Sequence, residues 1–575
     1  MPSMENETSK LDEEYKNKNL PTEDEHEEEA NSRCGWILSF FKVAKVEYPK
    51  FWCMSGMFFL IAYIYSVLRD MKDALVIERQ LPASIPYLKM FFVLPVSILF
   101  VFLFQKLLSR VSVEKVFFAV LIGFGIYFII YGLVLLPFQD YIEPYKFWVR
   151  DIFADGKMAV RGLEFLLGLF LTINFWTSTL IYVSAELWGS IVLSLLFLGF
   201  ANEICTLKQA LRFYPLFYIF ANVGLILSGL TMLGICYILD KLSYETNQII
   251  LRGFFILLGL LCLIIYFIYK YLEKNILPKP IFIVSGSSPK KKKKKKSKVG
   301  FVEGLKLMFK SKLVLAMSLI VLAYNICTNL VESAFKSAMR VYAESKGKSV
   351  ETHVMGTQAI QQIIIGIVVI ILLLSPFSSL IQKKGWTYVA IITPIFALIS
   401  SLGFFGLAWY NTSVTNNGKS FSLINSLFGG GLTLLELEQF IGIIAVSGIK
   451  ILKYAAFDIS KEAISIKIDK EYRARFKGVY DGVCGKLGKS MGSLLQIIML
   501  SIFNTTDIRK AAPFSLAIVL GICLIWIYST IYLGRKYDES VKENRDIDID
   551  LFSSKKQKKK ESELVKVAKI KETEE

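Results

Sequence analysis

The sequence predicts an all-α polytopic membrane protein, and three observations carry that expectation. Uncharged apolar runs recur about a dozen times along the 575 residues, each long enough to cross a hydrocarbon core of ~30 Å. The composition is 54% hydrophobic with a mean hydropathy of +0.48, above the roughly 45–50% apolar content of soluble domains. The runs have the length of helices, whereas a membrane β-barrel shows ~10-residue segments of alternating polarity.

Residues 1–48 are polar and rich in Glu, as in EDEHEEE at 23–29, and read as a disordered cytoplasmic tail. The tail has neither the early apolar core of a secretory signal nor the acid-poor, Arg-rich character of a transit peptide. Six spans follow near 49–68, 86–107, 114–137, 163–201, 214–239 and 249–273, forming a first bundle over 49–273. The fourth run is too long for a straight crossing and should tilt or bend. A basic cytoplasmic linker covers 274–311, with NILPKP leading into the lysine run Lys290–Lys298. Spans recur near 312–335, 354–376, 385–409, 432–457, 479–503 and 512–534, a second bundle over 312–534, and a basic tail with KKQKKK fills 535–575. Two echoes between the halves, Ala62-Tyr63 with Ala323-Tyr324 and Ser228-Gly229 with Met491-Gly492, accompany the repeated count. Twelve helices in parallel six-helix repeats form a major-facilitator-like arrangement around a central site.

An even count places both termini and the linker on one side, and their lysines suit the cytoplasm and its anionic lipid. The tripeptides beginning at Asn411 and Asn504 would then face outward as possible glycosylation sites.

Charges inside apolar runs are costly, at least ~2.5–3.5 kcal/mol each at mid-membrane, and mark polar interiors. Glu186 is the plainest case, flanked by apolar residues from Leu163 to Ala201. The end of the first span carries LRDMKD, giving Arg69, Asp70, Lys72 and Asp73. Asn202, Asn222, Asn325, Asn329 and Glu332 interrupt later spans. The tenth and eleventh supply Lys450, Lys453, Asp458, Lys461, Glu462, Lys477, Asp481, Lys486 and Lys489. Lysines outnumber carboxylates, so the interior suits an anion of several charges. Lysine holds and releases phosphate as a compact point charge, where arginine clamps it. The glutamates would pair with these lysines: Lys72 with Glu332, whose similar offset suggests that those two face one another across the halves, or with Glu186. Lys450 and Lys453 are as readily read as snorkelling to the headgroups.

Other classes find little support. The net charge of +18 sits mainly outside the spans, beside membrane segments rather than in a nucleic-acid-binding domain. The eight cysteines show no paired metal-site spacing, and the only histidines are His26 and His353. LGKS at 487–490 lacks the first glycine of a phosphate-binding loop, with Val483 in its place. No paired acid and base or metal cluster suggests an enzyme or a cofactor. A membrane-embedded transferase or scramblase for a phosphorylated substrate stays as the alternative to a carrier.

Several motifs resemble the non-mitochondrial ATP/ADP translocase family, the nucleotide transporters of plastids and obligate intracellular bacteria and parasites. They are LRDMKDALV (68–76), SAELWGS (184–190), GFAN (199–202), RFYPLF with FAN (212–222), NLVE (329–332), KYAAFD.SKE (453–462) and KG..D..C..LGKS.G (477–492). The resemblance covers roughly residues 50–535. It implies a carrier exchanging ATP for ADP by alternating access, in some members with phosphate. It implies further that Lys72, Glu186, Glu332 and a lysine within 477–489 are needed for transport, and that Asn222 contacts nucleotide. Arg69, Asp70, Asn202, Asn329, Asp458, Lys461, Lys477, Asp481, Lys486 and Lys489 complete the candidate site. Leu198, Lys486 and an expanded loop at 138–160 depart from the family pattern, and the extra lysine leaves room for GTP, GDP or phosphate. The expected protein is a monomer in contact with lipid, not nucleic acid, in the plasma membrane of an intracellular parasite.

Overall fold

The structure is a computed structural model that describes residues 43–108, 111, 113–143, 163–205, 207–278, 309–375, 384–417, 434–468, 476–543 and 545–547. Most of the amino-terminal tail, the lysine run of the linker and KKQKKK lie outside the described residues, as do the side chains of Lys106 and Asn202.

The described residues form a helical membrane protein. Ten helices are long and apolar enough to cross a membrane. In chain order the helices are α1 (Tyr48–Arg79), α2 (84–108), α3 (113–135), α4 (176–204), α5 (Leu207–Leu239) and α6 (244–276). After the linker come α7 (Lys312–Ser345), α8 (Val350–Leu374), α9 (Trp386–Asn417), α10 (434–467), α11 (478–502) and α12 (Ala512–Lys542). The two outside the count of ten are α2 and α11, for a visible reason. α2 is apolar over Ser84–Phe100 and falls short on length alone, whereas Lys486, Lys489 and Gln496 dilute the apolar face of α11.

Sequence explains where the helices depart from straight rods. In α2 a π-helical turn spans Leu88–Val93, just before Pro95, which has no N–H to return to the preceding turn. The long apolar run at 163–204 divides into a short helix, Leu167–Asn174, and α4, meeting at Phe175. Within α4 a second π-helical stretch covers Trp188–Phe197, directly after Glu186. LRDMKD does not end α1: the helix continues to Arg79, with Asp70, Lys72 and Asp73 buried inside it.

Apart from α5 and α8, which pack most extensively on each other, helices α1–α6 pack chiefly on one another, as do α7–α12. The two groups meet where α8 lies on α5 and α1, and where α11 lies on α2. Adding six to α5 gives α11 and adding six to α2 gives α8, so the α5–α8 and α11–α2 contacts are related as a two-fold between repeats would relate them. Small residues bring the α5–α8 seam close. A Cβ on Gly229 would meet Ala359 O at 2.8 Å, and one on Gly366 would meet the Ile226 Cγ1 at 2.6 Å. Such close backbone approach is how membrane helices gain dispersion contact where lipid removes the hydrophobic drive. Ser228 also donates to Gln362 across this seam, and Gln362 donates to the Ser66 carbonyl of α1 at 3.1 Å.

Candidate functional site

Between the two groups lies a cavity of about 530 Å³, lined by α1, α2, α4, α7, α8, α10 and α11. Its walls carry eight cationic side chains: Arg69, Lys72, Lys89, Lys336, Lys450, Lys453, Lys486 and Lys489. They face four carboxylates, Asp70, Asp73, Glu186 and Glu332. The lining thus has a formal surplus of four positive charges. Tyr65, Tyr182, Tyr324, Tyr454 and Phe335 add aromatic surface, suited to stacking on a planar ring.

The charges are joined in a definite pattern. Lys72 Nζ lies 2.9 Å from Glu186 Oε1 and 3.1 Å from Asp73 Oδ1, over the face of Tyr182 at 3.9 Å from the ring centroid. Lys450 meets Glu332 at 2.6 Å. Each glutamate is therefore neutralised by a lysine of its own half. Of the two carboxylates expected to neutralise Lys72, the structure pairs it with Glu186 and corrects the pairing with Glu332: both line the cavity, but Glu332 is held by Lys450. What crosses the halves is Asp73. Its Oδ2 accepts from Lys336 of α7 at 2.8 Å and from Gln358 of α8 at 3.1 Å. One turn onward Arg340 donates to the Ile77 carbonyl. These links close the cavity on the side where α1 ends, away from its amino terminus.

The sequence profile described as TLC ATP/ADP transporter matches residues 26–537. The chain belongs to that family. It is 48% identical over 534 residues to ADP,ATP carrier protein 1 of Paranosema grylli, covering 93% of this chain and 96% of the relative. It is 43% identical to ADP,ATP carrier protein 1 of Encephalitozoon cuniculi, covering 98% and 100%. It is 32% identical to ADP,ATP carrier protein 1 of Chlamydia pneumoniae, covering 84% and 90%. This is a family of multi-pass transporters, not of enzymes.

Within this transporter the cavity gathers Arg69, Asp70, Lys72, Glu186, Asn329, Glu332, Lys486 and Lys489 from the residues singled out in the sequence. It also gathers Asp73, Asn325, Lys450 and Lys453, but not Asn222, Asp458, Lys461, Lys477 or Asp481. Asn222 lies on α5 outside the lining and donates to the Tyr218 carbonyl at 2.8 Å. Lys461 binds Asp458 at 3.2 Å and Asp481 at 2.6 Å, while Lys477 pairs with Glu462 at 2.7 Å on a half-exposed surface. This group touches the cavity through Lys453, which lies 3.5 Å from Asp458. Asn411 is buried and donates to Glu438 at 2.6 Å, a position with no room for a glycan. Asn504 sits in the turn after α11 with φ at +43°.

Sequence reasoning missed Lys89, Lys336, Gln358 and Gln361 in the lining. A signal existed for two of them. Lys89 is a lone charge in an apolar stretch, as Glu186 is, and Lys336 lies one helical turn after Glu332. Lys450 and Lys453, read as readily for headgroup contact, face the cavity instead.

Proposed function

We infer that this chain exchanges ATP for ADP across a membrane by alternating access. The observation that carries the reading is the surplus of four positive charges around a cavity between two halves. A nucleoside di- or triphosphate, with multiply charged phosphates, compensates that surplus; adenosine or an uncharged lipid does not. The size supports the reading, since pockets for such ligands span ~300–1,000 Å³. The relatives from Paranosema grylli, Encephalitozoon cuniculi and Chlamydia pneumoniae are named as ADP,ATP carriers, which supports the same substrates here.

The rearrangement follows from the pairing. Phosphate competes with Glu186 for Lys72 and with Glu332 for Lys450, one pair in each half. Substrate thereby draws the two halves onto one ligand, and the Asp73–Lys336 link opens when the cavity faces the other side. The lysine surplus also fits GTP, GDP and phosphate as further substrates. The organisms of the two microsporidian relatives support the plasma membrane of an intracellular parasite as its site, with both termini cytoplasmic, importing host nucleotide. The test is uptake of labelled ATP by cells expressing the full chain. Uptake should accelerate when the cells are preloaded with ADP, and adenosine should not compete. Adenosine competing as well as ATP would overturn the reading.

A further inference from the structure

We propose that Lys89 is a direct phosphate ligand of the transported nucleotide, gripping it from α2 opposite Lys486 and Lys489 of α11. The proposal rests on the nucleotide-exchange reading and adds to it a residue on the amino-terminal side of the α2–α11 seam.

Three observations carry it. The first is partnership. Among the described residues, Lys72, Lys336 and Lys450 hold carboxylates at 2.6–3.1 Å, but no ion pair involves Lys89, Lys486 or Lys489. Lys89 is partly buried, and Lys486 and Lys489 are exposed to the cavity; like charges gathered around one cavity repel one another, and an anionic ligand relieves all three together. The second is convergence. Lys89 donates to Asn329 Oδ1, and the amide of Asn329 donates to the Lys489 carbonyl at 2.8 Å and to Ser493 Oγ at 3.0 Å. Gln496 fixes the Asn329 carbonyl at 2.9 Å. A neutral amide thus holds the Lys89 ammonium beside the α11 backbone that carries Lys489. A phosphate oxygen is a stronger acceptor than an amide oxygen and displaces it. The third is local form. Lys89 sits in the π-helical turn of α2, a widened turn often found at functional sites.

The competing account is a structural pin, in which the bond from Lys89 to Asn329 only holds α2 against α7. The two accounts differ in their dependence on phosphate number. Purified full-length carrier in detergent is titrated calorimetrically with ATP, ADP, AMP and inorganic tripolyphosphate, and its melting temperature is recorded alone. Lys89→Gln should weaken ATP and tripolyphosphate by about tenfold to a hundredfold, the loss of one charge-assisted contact, and AMP by no more than about twofold. Lys89→Arg, which keeps the charge and changes its shape, should fold even if Lys89→Gln does not, and should weaken ATP more than AMP. Equal loss for all ligands together with a lower melting temperature is the signature of a pin and overturns the proposal. So does an unchanged ratio of ATP to AMP affinity in both variants. If the wild-type protein itself binds neither ATP nor tripolyphosphate, the exchange reading falls first and this proposal with it.

Discussion

At the start of α5, Arg212 closes on Glu47 through two hydrogen bonds of 2.9 Å each, and Gln209 adds a third at 3.0 Å. In the cavity, Lys72 divides one ammonium between Asp73 and Glu186. Both groups are charged residues in an apolar molecule, yet they are built differently. The first has a fork-shaped cation with its donors matched to one carboxylate. Related joints divide the fork: Arg79 gives one donor to Glu143 at 2.6 Å and another to Gln139, and Thr177 also donates to Glu143 at 2.5 Å. Arg509 sets two donors on Asp507 and turns a third toward Glu438. The cavity has seven lysines and one arginine, and its acids are shared or outnumbered. Arginine makes joints that stay closed; lysine makes contacts that can be exchanged for a ligand. Burial pushes the Glu143 carboxyl up, against the pull of Arg79, so this joint outside the spans relies on its arginine to remain ionised.

The sharpest way to break this comparison is to remove one member of an arginine joint. Glu47→Ala strands a buried guanidinium, a loss of ~3–5 kcal/mol. The expected result is little folded carrier, read as the monodisperse fraction after detergent extraction. A normal folded fraction with lost exchange would move Glu47 from the scaffold to the site.

The next effect in size concerns Lys72. Lys72→Gln should cut exchange by on the order of a hundredfold, equivalent to two charge-assisted contacts, while most of the folded fraction survives. Lys72→Arg should be partly tolerated, because charge remains but a forked donor over the Tyr182 ring does not reproduce the geometry. Near-normal exchange by Lys72→Gln would remove Lys72 from the site.

A double-mutant cycle then tests the pairing itself. Lys72→Gln and Glu186→Gln should couple by ~0.5–3 kcal/mol in thermal stability, as contacting residues do. Lys72→Gln with Glu332→Gln should be additive within ~0.5 kcal/mol. The reverse result would restore the facing pair suggested by their similar offsets.

That last contrast shows how far the sequence reaches. Glu186 was legible because a carboxylate among leucines and phenylalanines has no bland explanation at that depth. The helix count was nearly legible too, since apolar runs map directly onto spans; among the described residues α2 is apolar but short, and α11 is diluted by its lysines. Pairings were not legible. Asp73 and Lys336 are 263 positions apart, and their contact depends on how α1 and α7 rotate about their axes, which periodicity does not fix. The end of α1 was misplaced because a charged hexapeptide reads as a helix terminus unless other helices bury it. Lys89 escaped because it lies only three positions inside the span read at 86–107, where a lone lysine does not differ in sequence from one that reaches the headgroups.

The smallest effect belongs to Lys477, and it separates motif from geometry. Motif likeness draws the role of phosphate contact over the whole segment from Lys477 to Lys489, three lysines on one stretch. The structure divides them: Lys486 and Lys489 line the cavity, while Lys477 pairs with Glu462 where both side chains are more than two-fifths exposed. An exposed pair of this kind contributes ~0–1 kcal/mol. Lys477→Gln should therefore leave the KM for ATP within about twofold and the melting temperature nearly unchanged, whereas Lys489→Gln should raise KM by about tenfold or more. Measured side by side at equal surface amount, the two variants rank the segment. If Lys477→Gln were the more damaging, the surface group of Asp458, Lys461, Glu462 and Asp481 would have to meet substrate when the carrier faces the other way. The division between exchangeable lysines and fixed joints would then extend beyond the cavity to the ends of α10 and α11.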